Sequence, residues 1–170
     1  MNTNPAVNPQ TLIFIDASLP DLQTLRAGLP TDATVHLLDS DQDGLGQIAT
    51  ILSAHSDVAA IHLITHGEPG ILYMGNATVS GGDLPYYKAE LETIANAMAE
   101  DGEILLYGCE VAAGKVGREF VESLRQITGL KVAAVTHKVG AAALGGSWEL
   151  DVVPQTMIAQ PLAVMGWQGV

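Results

Sequence analysis

One cysteine, Cys109, stands in 170 residues. A lone thiol cannot form an internal disulfide, so folding does not depend on oxidation and the redox compartment stays open. Basic residues are scarce as well. Seven lysines and arginines face nineteen aspartates and glutamates, for a formal net charge of -12. With no basic patch to neutralise phosphates, nucleic acid is a poor partner, and so is an anionic membrane surface. The acidic balance suits cationic substrates or solubility alone. No run approaches the roughly 18 apolar residues of a membrane span, so no membrane insertion is expected. Residues 1–10 lack the cationic start and apolar core of a secretory signal. They read as a flexible lead-in, with one domain over 11–170. The His, Cys and Asp residues show no zinc-ligand spacing. Gly67-Glu68-Pro69-Gly70 lacks the lysine and the following helix of a phosphate loop. Neither a metal nor another cofactor is expected.

What is present is a chain long enough for a full core, with 48% hydrophobic residues. Strand and helix signals alternate along it. Leu12-Ile13-Phe14-Ile15 predicts a first strand ending at Asp16, and a short helix follows from Asp21 to Gly28. Residues 35–38 and 59–65 predict the second and third strands. Between them Asp41 or Asp43 caps a helix with Leu45, Ile48 and Leu52 on one face. Two short runs flanking Gly75-Asn76 form a hairpin pattern. Asp83 is placed to cap a helix over residues 85–99. A strand over 103–107 is followed by a helix over 111–128, with Val116, Phe120, Leu124 and Ile127 on one side and Gly129 as its stop. Residues 132–135 give a fifth strand, and residues 147–153 alternate like a last one. The apolar tail over 161–170, with Met165 and Trp167, is expected to dock on the body. Such alternation implies an α/β fold, with a mostly parallel sheet and helices on both faces.

In an open parallel sheet, sites form beyond the carboxyl ends of the strands. Asp16, His66 and Cys109 each lie at such an end. If the third and fourth strands are neighbours, their axes are about 4.8 Å apart, and His66 and Cys109 can reach one substrate atom. A Cys and a His that are distant in sequence and meet in space form a nucleophilic dyad. A thiol placed just before a helix is favoured as thiolate by the positive end of the helix dipole. His66 then serves as general acid and base, and the N–H groups of Gly67 and Cys109 form an oxyanion hole. The plainer readings stay open. A lone cysteine is commonly a small buried hydrophobe, and Asp16 can be a helix cap. His62 and His36 read as packed strand residues, and His137 lies in a loop within reach of the site.

The motifs Thr65-His66-Gly67 and Leu106-Tyr107-Gly108-Cys109 resemble those of the caspase–haemoglobinase fold of cysteine peptidases: caspases, metacaspases, gingipains, clostripain and the self-cleaving domains of clostridial toxins. With Leu12 to Asp16 and Ala143-Leu144-Gly145-Gly146-Ser147-Trp148, all in order, they are more closely similar to a bacterial domain family of unknown function, DUF4347. The resemblance spans residues 11–153. It implies a caspase-like three-layer sandwich and a cysteine endopeptidase with His66 and Cys109 catalytic. It also implies a peptide or protein substrate, with the parent chain as one candidate, and an extracellular or cell-surface location. Relatives often keep an acid where Tyr107 stands here. Asp16 occupies the other specificity position, which implies Arg or Lys at the cleaved position, with leucine as the rival. Two other functions remain: a non-catalytic binding or assembly module of a large surface protein, and a Cys-dependent acyl hydrolase or transferase.

Overall fold

A computed structural model of the chain describes residues 10–170. The expected lead-in over 1–10 lies, but for Gln10, outside the described residues. Five strands form a parallel sheet: β1 (Gln10–Asp16), β2 (Thr34–Leu38), β3 (Val58–Glu68), β6 (Met98–Gly108) and β7 (Lys131–Ala133). Their order across the sheet is β2-β1-β3-β6-β7. The strands β4 (Ile71–Met74) and β5 (Ala77–Ser80) extend the end of β3 as an antiparallel hairpin, bringing the sheet to seven strands. Continuous apolar runs explain the central strands, because a parallel strand is covered on both faces. Leu12, Ile13, Phe14 and Ile15 are all fully buried.

The alternation of side chains divides the core in two. Leu12, Phe14, Ile61, Leu63, Ile104 and Leu106 face the helices α2 (Gly44–Leu52), α3 (Lys88–Ala97) and α4 (Gly114–Thr128). Ile13, Ile15, Ile64, Leu105 and Tyr107 face the other way, towards Leu25 of α1 (Leu22–Ala27). Among the described residues no helix completes this second layer over β6 and β7. The irregular C-terminal segment does, with Leu162, Val164 and Trp167 buried against Trp148 and Leu150. Its backbone N–H groups need acceptors, and the sheet supplies them. Buried Glu103 accepts from Ile158 N (2.6 Å) and Ala159 N (3.0 Å). The Tyr107 hydroxyl accepts from Leu162 N at 2.8 Å. Trp167 Nε1 donates to Pro20 O at 2.7 Å. The tail docks on the body as its composition predicts.

Several local expectations are corrected. Asp43, not Asp41, caps α2, accepting from Gly46 N at 3.0 Å. Asp83 caps no helix. Its Oδ2 accepts from Ser80 N and Oγ, and a 3-10 turn over Leu84–Tyr87 leads into a helix that stops at Ala97. The helix expected from residue 111 starts at Gly114. On it Phe120 and Leu124 are buried, but Val116 is 55% exposed. Residues 147–153 form no strand. One isolated bridge, Ala134 to Val152, is all that their alternation yields.

Candidate functional site

The register of β3 on β6 brings the two motifs to one place. Thr65 pairs with Gly108, the last pair of the parallel ladder, and His66 and Cys109 each follow by one residue. Beyond that level β3 turns to pair with β4, His66 opposite Tyr73 and Gly67 opposite Leu72. Two glycines make the approach possible. A Cβ on Gly67 would sit 2.8 Å from Gly108 C and 3.0 Å from both Cys109 N and Cys109 O. A Cβ on Gly108 would meet a Leu72 methyl at 2.5 Å. A side chain at Gly67 would have to move backbone, whereas at Gly108 it would have to displace the Leu72 side chain. The Gly67 backbone therefore lies directly on the Gly108–Cys109 peptide.

The turn after Cys109 is sharp. Glu110 takes a left-handed conformation (φ 57°), which costs a non-glycine residue roughly 1–3 kcal/mol. Its surroundings hold it there. Glu110 N donates to His137 O (2.8 Å), Val111 N to Gly108 O (3.2 Å) and Ala113 N to Glu110 O (2.8 Å). Gly70 N donates to Val111 O at 2.9 Å, lacing the turn after His66 to the turn after Cys109. This turn is also why α4 begins late. Residues 110–113 separate Cys109 from the helix, and the dipole effect fades within the first helical turn. The expected helix-dipole activation of the thiol is thus withdrawn.

Cys109 is half-buried and packs against the second-layer cluster. Its Sγ accepts from Val139 N at 3.3 Å and lies 4.0 Å from Val139 O. His66 is also half-buried, and the hydroxyl of Thr65 donates to its carbonyl at 3.0 Å. Among the described residues no hydrogen bond joins the His66 ring to Sγ. His137 touches the site through its backbone alone. Its ring lies 2.8 Å from Lys138 O and 2.7 Å from Glu149 O and braces the loop. Val139 was not foreseen: an apolar loop residue carries no signal that its N–H will meet a thiol.

Asp16 sits differently from the expected pocket residue. It is 1% exposed, and both its oxygens are engaged. Oδ1 accepts from Ser18 N (2.9 Å) and Ser18 Oγ (2.5 Å), while Oδ2 accepts from Gly75 N (2.6 Å). Asn76 ties the same hairpin tip to Gln42 O and Asp41 O. Asp16 thus moors the hairpin that pairs with His66.

Below the site, His62 and Tyr107 stack across β3 and β6 with ring centroids 5.9 Å apart. The Tyr107 hydroxyl lies 3.3 Å from His62 Nδ1. Since that hydroxyl already accepts from Leu162 N, its own proton is free for Nδ1, which leaves Nδ1 as acceptor. Burial holds the His62 imidazole down at about 4 and pushes the Tyr107 phenol well up.

The model of a domain family of unknown function, DUF4347, matches residues 12–170. The chain belongs to that family. This DUF4347 domain has no match among curated proteins. Among solved structures, a caspase-1 from Spodoptera frugiperda is 18% identical, over 86% of this chain and 68% of that one, with a TM-score of 0.43. A small-chain dehydrogenase is 9% identical, over 74% and 81% of the two chains, with a TM-score of 0.38.

Proposed function

We propose that this DUF4347 domain is a cysteine endopeptidase with a Cys109–His66 dyad. One observation carries the reading: the Gly67 backbone packs on the Gly108–Cys109 peptide, at the carboxyl edge of two adjacent parallel strands. That juxtaposition brings the backbones that carry His66 and Cys109 together at one edge of the sheet, which supports a reading in which imidazole, thiol and backbone N–H groups act on one substrate carbonyl. In the reaction Sγ gives its proton to His66 and attacks the peptide carbonyl. The N–H groups of Gly67 and Cys109 hold the oxyanion. His66 returns the proton to the amine as the C–N bond breaks, leaving a thioester. A water, deprotonated by His66, hydrolyses it and restores the thiol. Asp16 contributes by mooring the hairpin beside His66. In the resting conformation Sγ accepts from Val139 N, so attack begins when the substrate displaces that contact. The substrate proposed is a site in the parent polypeptide or a partner at the cell surface.

A second reading draws on that same contact. A thiol held by Val139, with no hydrogen bond to His66, also suits a binding or assembly module that keeps the fold without the chemistry. Incubation of the domain with its parent protein and with a peptide library, read by mass spectrometry, separates the two. The peptidase predicts cleavage that falls by about 10³-fold or more in Cys109→Ala and in His66→Ala. It also predicts iodoacetamide alkylation of Cys109 that slows in His66→Ala at neutral pH. No cleavage, with alkylation indifferent to His66, would refute it. Hydrolysis of small esters without peptide cleavage would move the assignment to an acyl hydrolase.

A further inference from the structure

A single peptide group links the loop after β7 to the thiol. Its N–H, on Val139, donates to Cys109 Sγ at 3.3 Å. Its carbonyl, Lys138 O, accepts from Ser147 N at 2.9 Å and lies 2.8 Å from Nδ1 of the His137 ring. A trans peptide is planar, so its C=O and N–H turn together. Whatever fixes the carbonyl therefore aims the N–H at sulfur.

The other ring nitrogen of His137, Nε2, lies 2.7 Å from Glu149 O. Both nitrogens thus face carbonyl oxygens, which can only accept. A neutral imidazole has one N–H and satisfies one of them, whereas the imidazolium has two and satisfies both. Asp151 supplies a counter-charge, with Oδ1 3.9 Å from Nε2. Burial pushes the Asp151 carboxyl up, but the Thr136 hydroxyl and N–H and the charge on His137 outweigh it and hold the group below its ordinary value. Asp151 therefore stays ionised over the range in which histidine titrates. The other ionisable side chains about the ring belong to Lys138, Glu149 and Glu110, whose N–H binds the His137 carbonyl, and all three are exposed. When the ring loses a proton, the Asp151 charge favours keeping the remaining one on Nε2. The contact that fails is then Nδ1 to Lys138 O, where a lone pair meets an oxygen at 2.8 Å.

We propose that His137 is a positioning residue that latches the nucleophile: protonated, it aims the Lys138–Val139 peptide so that its N–H occupies Sγ, and on losing a proton it turns that peptide away and frees the thiol. The latch is closed in acid and open near neutral pH. A sulfur lone pair given to an N–H is not available for attack, so the latch governs any chemistry of Cys109, peptide cleavage included.

Nuclear magnetic resonance tests the coupling in the unmutated domain. The Val139 amide proton is followed against the His137 ring protons from about pH 5 to 8, the range in which histidine titrates. Both are expected to move through one common inflection, and a Val139 signal that ignores the ring would overturn the inference. Labelling of Cys109 by iodoacetamide supplies the second readout: the thiolate attacks the methylene carbon, iodide leaves, and a thioether remains that mass spectrometry counts. Each rate is divided by that of His137→Phe at the same pH, which removes the titration of the thiol itself. The wild type is expected to label about tenfold more slowly at the acid end, the scale of one hydrogen bond to a charged group, and to match His137→Phe by about pH 8. His137→Arg, charged at every pH and rich in donors, is expected to stay slow throughout. A ratio that does not change with pH, or an Arg variant as fast as the Phe variant, would make His137 a packing residue alone and overturn the inference. Peptide cleavage enters neither measurement, so a domain that cleaves nothing can still show the latch, and a failed latch leaves the dyad untouched.

Discussion

Acid should loosen this fold through His62. The ring is 2% exposed, stacked on Tyr107, with Nδ1 facing the Tyr107 hydroxyl. Burial lowers its pKa from 6.5 to about 4. The folded state therefore keeps His62 neutral where the unfolded chain already binds a proton. His62 is at its ordinary value in the unfolded chain, so its contribution is fully present above about 6.5. It is lost as the pH falls from there to about 4. Each tenfold change in proton affinity is worth about 1.4 kcal/mol, so the gap from 6.5 to about 4 amounts to about 3 kcal/mol. That is a large share of the 5–15 kcal/mol typical of a domain. Carboxylates also titrate over this range, so the measurement is a difference. Urea unfolding free energies of the wild type and of His62→Phe are compared from pH 7.5 to pH 4. The phenyl ring keeps the stacking and cannot titrate. It removes the acceptor of the Tyr107 proton, and so should cost about 1 kcal/mol at neutral pH. The two stability curves should then cross as the wild type loses its additional 3 kcal/mol or so. Parallel curves over the whole range would refute the account and mean that His62 is solvated or charged in the folded protein.

Three further substitutions test the packing around the site. Gly67→Ala forces a Cβ to 2.8 Å from Gly108 C. It should cost about 1–3 kcal/mol and slow Cys109 alkylation, while Gly81→Ala, whose Cβ finds nothing nearer than 4.0 Å, should leave both unchanged. Glu103→Ala removes the acceptor of two backbone N–H groups of the C-terminal segment. It should lower stability by about 2–4 kcal/mol and make residues 155–170 the first cut in limited proteolysis. Asp16→Ala frees the hairpin tip, which hydrogen exchange at Gly75 should report as lost protection; unchanged exchange would mean that the mooring bond contributes nothing.

Much of this architecture was legible in the chain because its strands are buried on both sides. A run such as Leu12-Ile13-Phe14-Ile15 has one physical use in an α/β fold. The Gly75-Asn76 hairpin and the strand-end positions of His66 and Cys109 followed from equally local signals. The failures are failures of context. Residues 147–153 alternate properly, and Trp148 and Leu150 are indeed buried. Their backbone and side-chain bonds are spent elsewhere, however. Thr136 donates its N–H and hydroxyl to Asp151, and Glu149 O faces the His137 ring. A ladder needs those groups free. The left-handed turn at Glu110 has no glycine to announce it, so the local pattern carries no sign that α4 starts only at Gly114. Asp16 stands where a pocket residue is expected, and only the fold reveals that Ser18 and Gly75 have already taken its oxygens.

The C-terminal segment also sets a timetable. Trp167 donates to Pro20 O across 147 residues of sequence, so the second layer closes through one of the longest loops that the chain can make. Such contacts form late, since loop entropy is lost before packing repays it. On the ribosome, β1, β3 and β6 are synthesised well before residues 155–170. Until those residues emerge, Leu105 and Tyr107 of β6 present an apolar sheet face that α1 leaves to the C-terminal segment. A nascent domain in that state is a natural client for a chaperone, and shortening the chain at its carboxyl end should harm its yield of soluble protein far more than the lack of regular structure there would imply.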